Sequence, residues 1–141
     1  MTIKQLSIFI ENKGGTLIKV LDLLSKAGIQ IIASTIADTK DYGIYRVLCN
    51  NPAQAYIILK DAGINVQLSD VIALSIDDQP GCAAEAIKEI SAAGVSILYL
   101  YSFLWQGKGV LVFRADQSEK AKETIMLNKL TFLTEEDFKS L

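Results

Sequence analysis

Two short polar turns carry the residue types best placed to do chemistry in this chain. Glu11-Asn12-Lys13-Gly14-Gly15 and Asp77-Asp78-Gln79-Pro80-Gly81 both end on glycine, and each stands directly before apolar residues at helical spacing. The first N–H groups of a helix have no acceptor within it, and the helix dipole places partial positive charge there. A small anion such as a carboxylate can rest on those groups where the loop carries no bulky side chain. Gly14-Gly15 and Pro80-Gly81 open the loops in that way. The competing reading is that these glycines only let the chain turn tightly, and Asn12 also suits a turn or a cap.

Other chemistry-bearing residues are sparse. Arg46 and Arg114 are the only arginines. Alternation puts Arg46 on one sheet face with Ile44 and Leu48, either as a carboxylate grip or as an exposed residue paired with Asp38 or Asp41. Cys82 falls in the first turn of a helix, where thiol pKa values drop, but no base or resolving cysteine lies nearby in sequence. Cys82 therefore reads as a small packing residue, and Cys49, closing an apolar strand, as buried and inert. The carboxylate pairs Asp38/Asp41 and Asp77/Asp78 lie in turns, with nothing to raise a pKa. Tyr99, Tyr101, Phe103 and Trp105 alternate along one strand and so share one face. That stripe reads as a contact surface between subunits or domains; base stacking on RNA is the rival reading, and ordinary core or the wall of a ligand pocket is the third.

Composition excludes more than it selects. The 141 residues include 14 basic and 16 acidic side chains and no histidine. Without histidine there is no Ser-His-Asp or Cys-His arrangement and no histidine-containing zinc site. Cys49 and Cys82, 33 residues apart, form neither a metal motif nor a disulfide framework, which points to a reduced, cytoplasmic setting. A net charge of −2 disfavours nucleic-acid binding. No run of 18 apolar residues occurs and the N-terminus lacks the apolar segment of a signal peptide, so no membrane partner is expected. No cofactor, metal or catalytic constellation is indicated, and the expectation is a protein that is not an enzyme.

The elements that must position the turns come twice. A shift of 66 residues superimposes Ile10 on Ile76, Gly15 on Gly81, Ser25 on Ser91, Gly28 on Gly94, Ile31 on Ile97 and Gly43 on Gly109. The apolar pattern keeps step, with Leu17, Val20, Leu21 and Leu24 against Ala83, Ala86, Ile87 and Ile90. Two copies are expected, residues 1–68 and 69–141. The first reads as strand 3–10, helix 16–27, strand 29–37, strand 44–49, helix 52–62 and strand 64–68. The second reads as strand 70–76, helix 82–93, strand 95–105, strand 110–115, helix 117–127 and strand 129–133, with a short capped helix from Thr134. The fold class is α/β, an α+β sandwich of two tandem ferredoxin-like βαββαβ units, each an antiparallel four-stranded sheet with its helices on one face. One such unit alone buries too little surface for comfort, so function is expected at the junction of the copies.

The run Leu6-Ser-Ile-Phe-Ile-Glu-Asn-Lys-Gly-Gly-Thr-Leu17, followed by Leu24-Ser-Lys-Ala-Gly-Ile-Gln-Ile31, resembles the ACT domain. Asp77-Asp-Gln-Pro-Gly-Cys82 and Ala93-Gly-Val-Ser-Ile97 repeat the likeness. The resemblance covers nearly the whole chain twice, as in a stand-alone tandem ACT protein with no catalytic domain. It implies a regulatory protein that binds a free amino acid at the turn, against a neighbouring ACT domain, and signals through the pose of the two domains. It carries Asn12 onto the family's turn asparagine and Gln30 onto the asparagine that opens the second strand. Asp78 and Ser96 are the equivalents in the second copy. Gly14 departs from the family's proline, Asp78 departs from asparagine, and Gly81 keeps the glycine. The ligand-binding set implied is Asn12, Lys13, Gly14, Gly15, Thr16, Gln30 and Ile31 with Asp78, Gln79, Gly81, Cys82 and Ser96. A homodimer and a regulated biosynthetic enzyme are the expected protein partners, and a ligand-free adaptor is the alternative function.

Overall fold

Alternation of apolar and polar residues makes the strands, and the 3.6-residue period makes the helices that cover them. The computed structural model describes residues 1–11, 15–38 and 42–139. In chain order the elements are β1 (Ile3–Glu11), α1 (Thr16–Lys26), β2 (Ile31–Asp38), β3 (Tyr42–Cys49), α2 (Pro52–Asp61) and β4 (Val66–Ile76). They continue as α3 (Cys82–Ala92), β5 (Ile97–Trp105), β6 (Lys108–Ala115), α4 (Ser118–Leu127) and α5 (Glu135–Lys139). Contacts divide the chain into an N-terminal unit, Lys4–Ser69 with the chain from Glu136 onward, and a C-terminal unit, Asp70–Glu135 with Met1–Ile3.

In the N-terminal unit the strand order is β2-β3-β1-β4. Leu6, Ile8 and Ile10 of β1 and Tyr45, Val47 and Cys49 of β3 pack under Val20 and Leu24 of α1 and Ala55 and Leu59 of α2. The antiparallel register pairs Leu6 with Val47 and Ile8 with Tyr45, which brings both apolar sets to one face. On the other face, buried Gln5 donates from Nε2 to Ser7 Oγ at 3.2 Å, and Ser7 Oγ lies 3.2 Å from Ser69 Oγ. Pro52 opens α2, where its missing N–H is no loss, and the Asn51 side chain accepts from Gln54 N at 3.3 Å.

In the C-terminal unit the order is β4-β6-β5. Ile72 and Leu74 of β4 and Leu111 and Phe113 of β6 pack under Ala86 and Ile90 of α3 and Ala121 and Ile125 of α4. Each buried helix residue sits 66 positions after its counterpart in the first unit: Ala86 after Val20, Ile90 after Leu24, Ala121 after Ala55 and Ile125 after Leu59.

The structure departs from the expected strands in two places. The separate strands 64–68 and 70–76 are one strand, β4, because Leu68-Ser69-Asp70-Val71 contains no glycine, proline or asparagine to break the extended run. Residues 129–133 do not form a strand. The segment makes one isolated bridge, Leu74↔Phe132, flanked by Ser75 N donating to Thr131 O and Leu133 N donating to Ala73 O, both at 2.8 Å. Lys129 enters it with a positive φ of 54° directly after α4, which leaves little straight chain to pair. The face expected to be exposed on β5 is also reversed. Tyr99, Tyr101, Phe103 and Trp105 are half-buried, and Leu98, Leu100, Ser102 and Leu104 are exposed. The leucines lie on the helix side of the sheet, with Leu100 opposite Phe113 and Ser102 opposite Leu111, and the aromatics lie on the other face, with Tyr101 and Phe103 opposite Val112 and Val110.

Phe113 is fully buried beneath α3 and α4. Phe113→Ala should cost about 3–5 kcal/mol in urea unfolding. Leu127→Ala, at a position 82% exposed, should change stability by no more than about 0.5 kcal/mol.

Candidate functional site

The turn between β4 and α3 is held by its own backbone. Gln79 N donates to Asp77 O at 2.9 Å, Cys82 N to Gln79 O at 3.2 Å, and Glu85 N to Gly81 O at 3.0 Å. Gly81 is the N-cap of α3 at φ 90°, and no side chain caps the helix. Nothing lies within 4 Å of a Cβ added there, so the demand for glycine is conformational and not steric. Gly15 repeats the arrangement at the start of α1, with φ 102° and no side-chain cap, and Lys19 N donates to its carbonyl at 2.9 Å.

Asp78, Gln79, Gly81 and Ala83 form one wall of a cleft of about 410 Å³. Ser102, Phe103 and Leu104 of β5 and Gly109 to Leu111 of β6 form the others. That is within the size range of small-molecule sites. Its walls mix polar and apolar groups. Its polar contributions are the Asp77 and Asp78 carboxylates, the Gln79 amide, the Ser102 hydroxyl and the start of an uncapped helix, whose first-turn N–H groups find no acceptor within the helix. Lys108 Nζ donates to Oδ1 of Asp77, itself a lining residue, at 2.5 Å. The hydrogen bond and the charge of Lys108 hold the Asp77 carboxyl below its ordinary pKa, and Asp77 raises that of Lys108 in return. Both side chains are more than half exposed, so this pair orders the cleft wall more than it stabilises the fold.

Of the residues expected at a ligand, the C-terminal unit brings Asp78, Gln79 and Gly81 together. Cys82 lines a second groove of about 420 Å³, with Asp77, Glu85, Glu89, Lys108 and Lys129. Ser96 stands at the far end of α3, an 11-residue helix, about 16 Å from the turn at 1.5 Å per residue. Ser96 N donates to Asp116 Oδ1 at 2.9 Å, and Asp116 N donates back to Ser96 O at 3.0 Å. In the N-terminal unit, Gly15 and half-buried Thr16 begin α1, and Asn12, Lys13 and Gly14 lie outside the described residues. Gln30 is exposed beyond the other end of α1, with Ile31 opening β2 opposite Cys49. Gln30 N donates to Asn50 Oδ1 at 3.0 Å, and Asn50 N donates to Gln30 O at 3.1 Å. Arg46 is half-buried between Ser7 and Thr35, on the sheet face away from the helices. Cys49 is buried, and burial pushes its thiol pKa up.

Sequence reasoning missed the clasps at Asn50 and Asp116, because their side chains differ in type although they are 66 residues apart. It also missed the cleft walls Ser102, Leu104 and Gly109. The repeated pair Gly43/Gly109 was the available signal: each glycine lies opposite the last apolar residue of a strand, Ile10 or Ile76, beside the turn.

A family model for an ACT domain pair matches residues 1–141. This chain belongs to the ACT domain pair family. The pair is similar to protein BT0572 from Bacteroides thetaiotaomicron, at 38% identity and a TM-score of 0.94, over 100% of this chain and 98% of that one. It shares its fold with the regulatory subunit of aspartate kinase from Thermus thermophilus, at 14% identity and a TM-score of 0.62, over 89% and 91% of the two chains. The regulatory subunit of aspartate kinase from Thermus flavus gives 16% and 0.56, over 88% and 90%. Among the curated proteins there is no significant match. Within this ACT domain pair no described helix is long and apolar enough to cross a membrane, and no described group of three acidic or cysteine side chains is arranged to hold a metal ion.

Two measurements test the turn. Gly81→Ala should destabilise the ACT domain pair by about 1–2 kcal/mol through left-handed backbone strain, and Gly81→Asn by less. The Asp77–Lys108 pair contributes above the carboxyl's unfolded pKa and loses that contribution as pH falls through the depressed folded value. In an NMR titration the Asp77 carboxyl should therefore move to higher pH on Lys108→Ala.

Proposed function

We propose that this ACT domain pair is a non-catalytic regulatory protein that binds a free amino acid in the cleft beside Asp77–Gly81. The reading rests on one juxtaposition: an uncapped helix start and the Asp78 carboxylate share a small cleft with the apolar residues Phe103, Leu104 and Leu111. An amino acid offers the complementary set. Its carboxylate would take the first-turn N–H groups of α3, and its ammonium would face Asp78. Its side chain would lie against Phe103 and Leu104. Asp78 thus suits the ammonium better than the asparagine of the family pattern.

Gly15 and Thr16 start the equivalent site of the first copy, with Asn12, Lys13 and Gly14 as its proposed lining. Gln30, Ile31 and Ser96 stand a helix length from the turn of their own unit, so in this reading they can line a site only from a neighbouring ACT domain. Cys82 has no direct part in it. Occupancy would be read by a partner in the cytoplasm, with a biosynthetic enzyme as the proposed class. Such signalling requires that the ligand prefer one of two states.

Thermal unfolding against the twenty amino acids tests the proposal. One or a few should raise the melting temperature by several degrees, since a ligand at 100 times its Kd adds about 2.7 kcal/mol. Asp78→Asn should weaken that ligand about tenfold or more in calorimetry, with stability unchanged within about 0.5 kcal/mol. A flat panel at millimolar ligand would refute amino-acid binding and favour the ligand-free adaptor.

A further inference from the structure

The floor of the cleft beside Asp77–Gly81 is built from smaller side chains than the same positions of the first copy. On β5 and β6, Ser102 pairs with Leu111 and Leu104 with Gly109. Sixty-six positions earlier, Ile36 pairs with Tyr45 and Asp38 with Gly43. Ala83 at the start of α3 likewise corresponds to Leu17 on α1. Ala83, Ser102 and Leu111 of the cleft therefore stand where the first copy carries Leu17, Ile36 and Tyr45. Ile36 leans towards its glycine, with Cγ2 3.4 Å from a Cβ built on Gly43. The atom nearest to a Cβ built on Gly109 is instead Ile76 Cγ1 of β4, at 3.1 Å. Serine lacks the branch and the terminal methyl of isoleucine, so space that Ile36 fills in the first copy is left to the cleft in the second. Leu104 also replaces an acidic residue, Asp38.

The charges point the same way. The charged residues lining the cleft are Asp77 and Asp78. Lys108 donates to Asp77 and lines the neighbouring groove. Among the described residues, no lysine or arginine lines the cleft itself. An acidic side chain of a ligand would lie there unpaired beside two carboxylates, at high cost. A cationic one would find Asp77 engaged by Lys108 and Asp78 facing the ligand's own ammonium. Leu104, 68% exposed, has apolar surface that a ligand can cover. We infer that the cleft selects an amino acid with an uncharged, apolar side chain larger than a methyl group, seated over Gly109 between Ala83, Leu104 and Leu111. The inference rests on the proposed binding of an amino acid in this cleft and names its class. Ala83 and Ser102 determine the room, and Gly109, without a Cβ, lets the ligand's side chain rest on the main chain of β6.

Calorimetric titration of the full chain with single amino acids tests it. Leucine, isoleucine and methionine should bind about tenfold or more tighter than alanine, since each buried methylene adds about fourfold. Aspartate, glutamate, lysine and arginine should bind about a hundredfold or more weaker than leucine. Ser102→Ile sets the residue of the first copy at an exposed position. It should weaken leucine about tenfold or more by filling the floor. Ala83→Leu should do the same, and circular dichroism would verify that both variants keep the fold. Ser102→Ala removes only the hydroxyl and should leave the affinity for leucine within about twofold. A charged amino acid bound as tightly as leucine would keep the site and overturn the selectivity. An affinity for leucine left intact by either filling variant would overturn it as well. So would its loss in Ser102→Ala, since the hydroxyl would then be the recognised group. A chain that binds none of these amino acids would refute amino-acid binding in the cleft altogether, and this inference with it.

Discussion

The passage from strand into helix through a left-handed glycine is the constraint on which the rest of this molecule depends. At Gly15 and Gly81 the chain must leave the sheet and reverse over its face within a few residues, at φ values of 102° and 90°. Side chains with a Cβ resist that conformation. The same geometry leaves the helix without a side-chain cap. A fold requirement therefore produces an unsatisfied, partly positive helix start beside the sheet. In the C-terminal unit that start opens onto a cleft with Asp78 on one side and Phe103 and Leu104 on another.

The other end of each first helix is fixed by a second recurring device. The chain just before β2 and β5 is clasped by a side-chain carbonyl or carboxylate 20 residues later, from Gln30 to Asn50 and from Ser96 to Asp116. An amide and a carboxylate perform the same task because each needs only one acceptor oxygen for a backbone N–H. The repeat is thus kept in hydrogen-bond geometry where it is lost in residue identity. The positions carried over from the ACT resemblance at Gln30 and Ser96 use their main chains for this clasp and leave their side chains outside it.

The remaining departures from sequence-based expectation share a cause. Alternation along β5 correctly separates its residues into two faces, but which face is covered depends on the neighbouring strand. The aromatics lie opposite Val110 and Val112 and are half-buried, and the leucines lie on the helix side and stay exposed, although Leu100 pairs with fully buried Phe113. The repeat places a domain boundary near residue 68, and contacts divide the chain between Ser69 and Asp70, within the continuous strand β4.

By itself the sequence determined the family, the strand–helix–strand–strand–helix order of both copies and the glycines that start α1 and α3, because these rest on local periodicity and on backbone conformations that only certain residues tolerate. It also determined which helix faces are buried: the residues at positions 20, 24, 55 and 59 and their counterparts 66 later all lie in cores. Only the tertiary structure decided which residues share the cleft, that Cys82 lines a separate groove, that residues 129–133 make a bridge and not a strand, and which side of β5 is open. Those outcomes depend on strand register and on what a neighbouring strand carries at the paired position. Such pairings join residues far apart in the chain, and no local pattern encodes them.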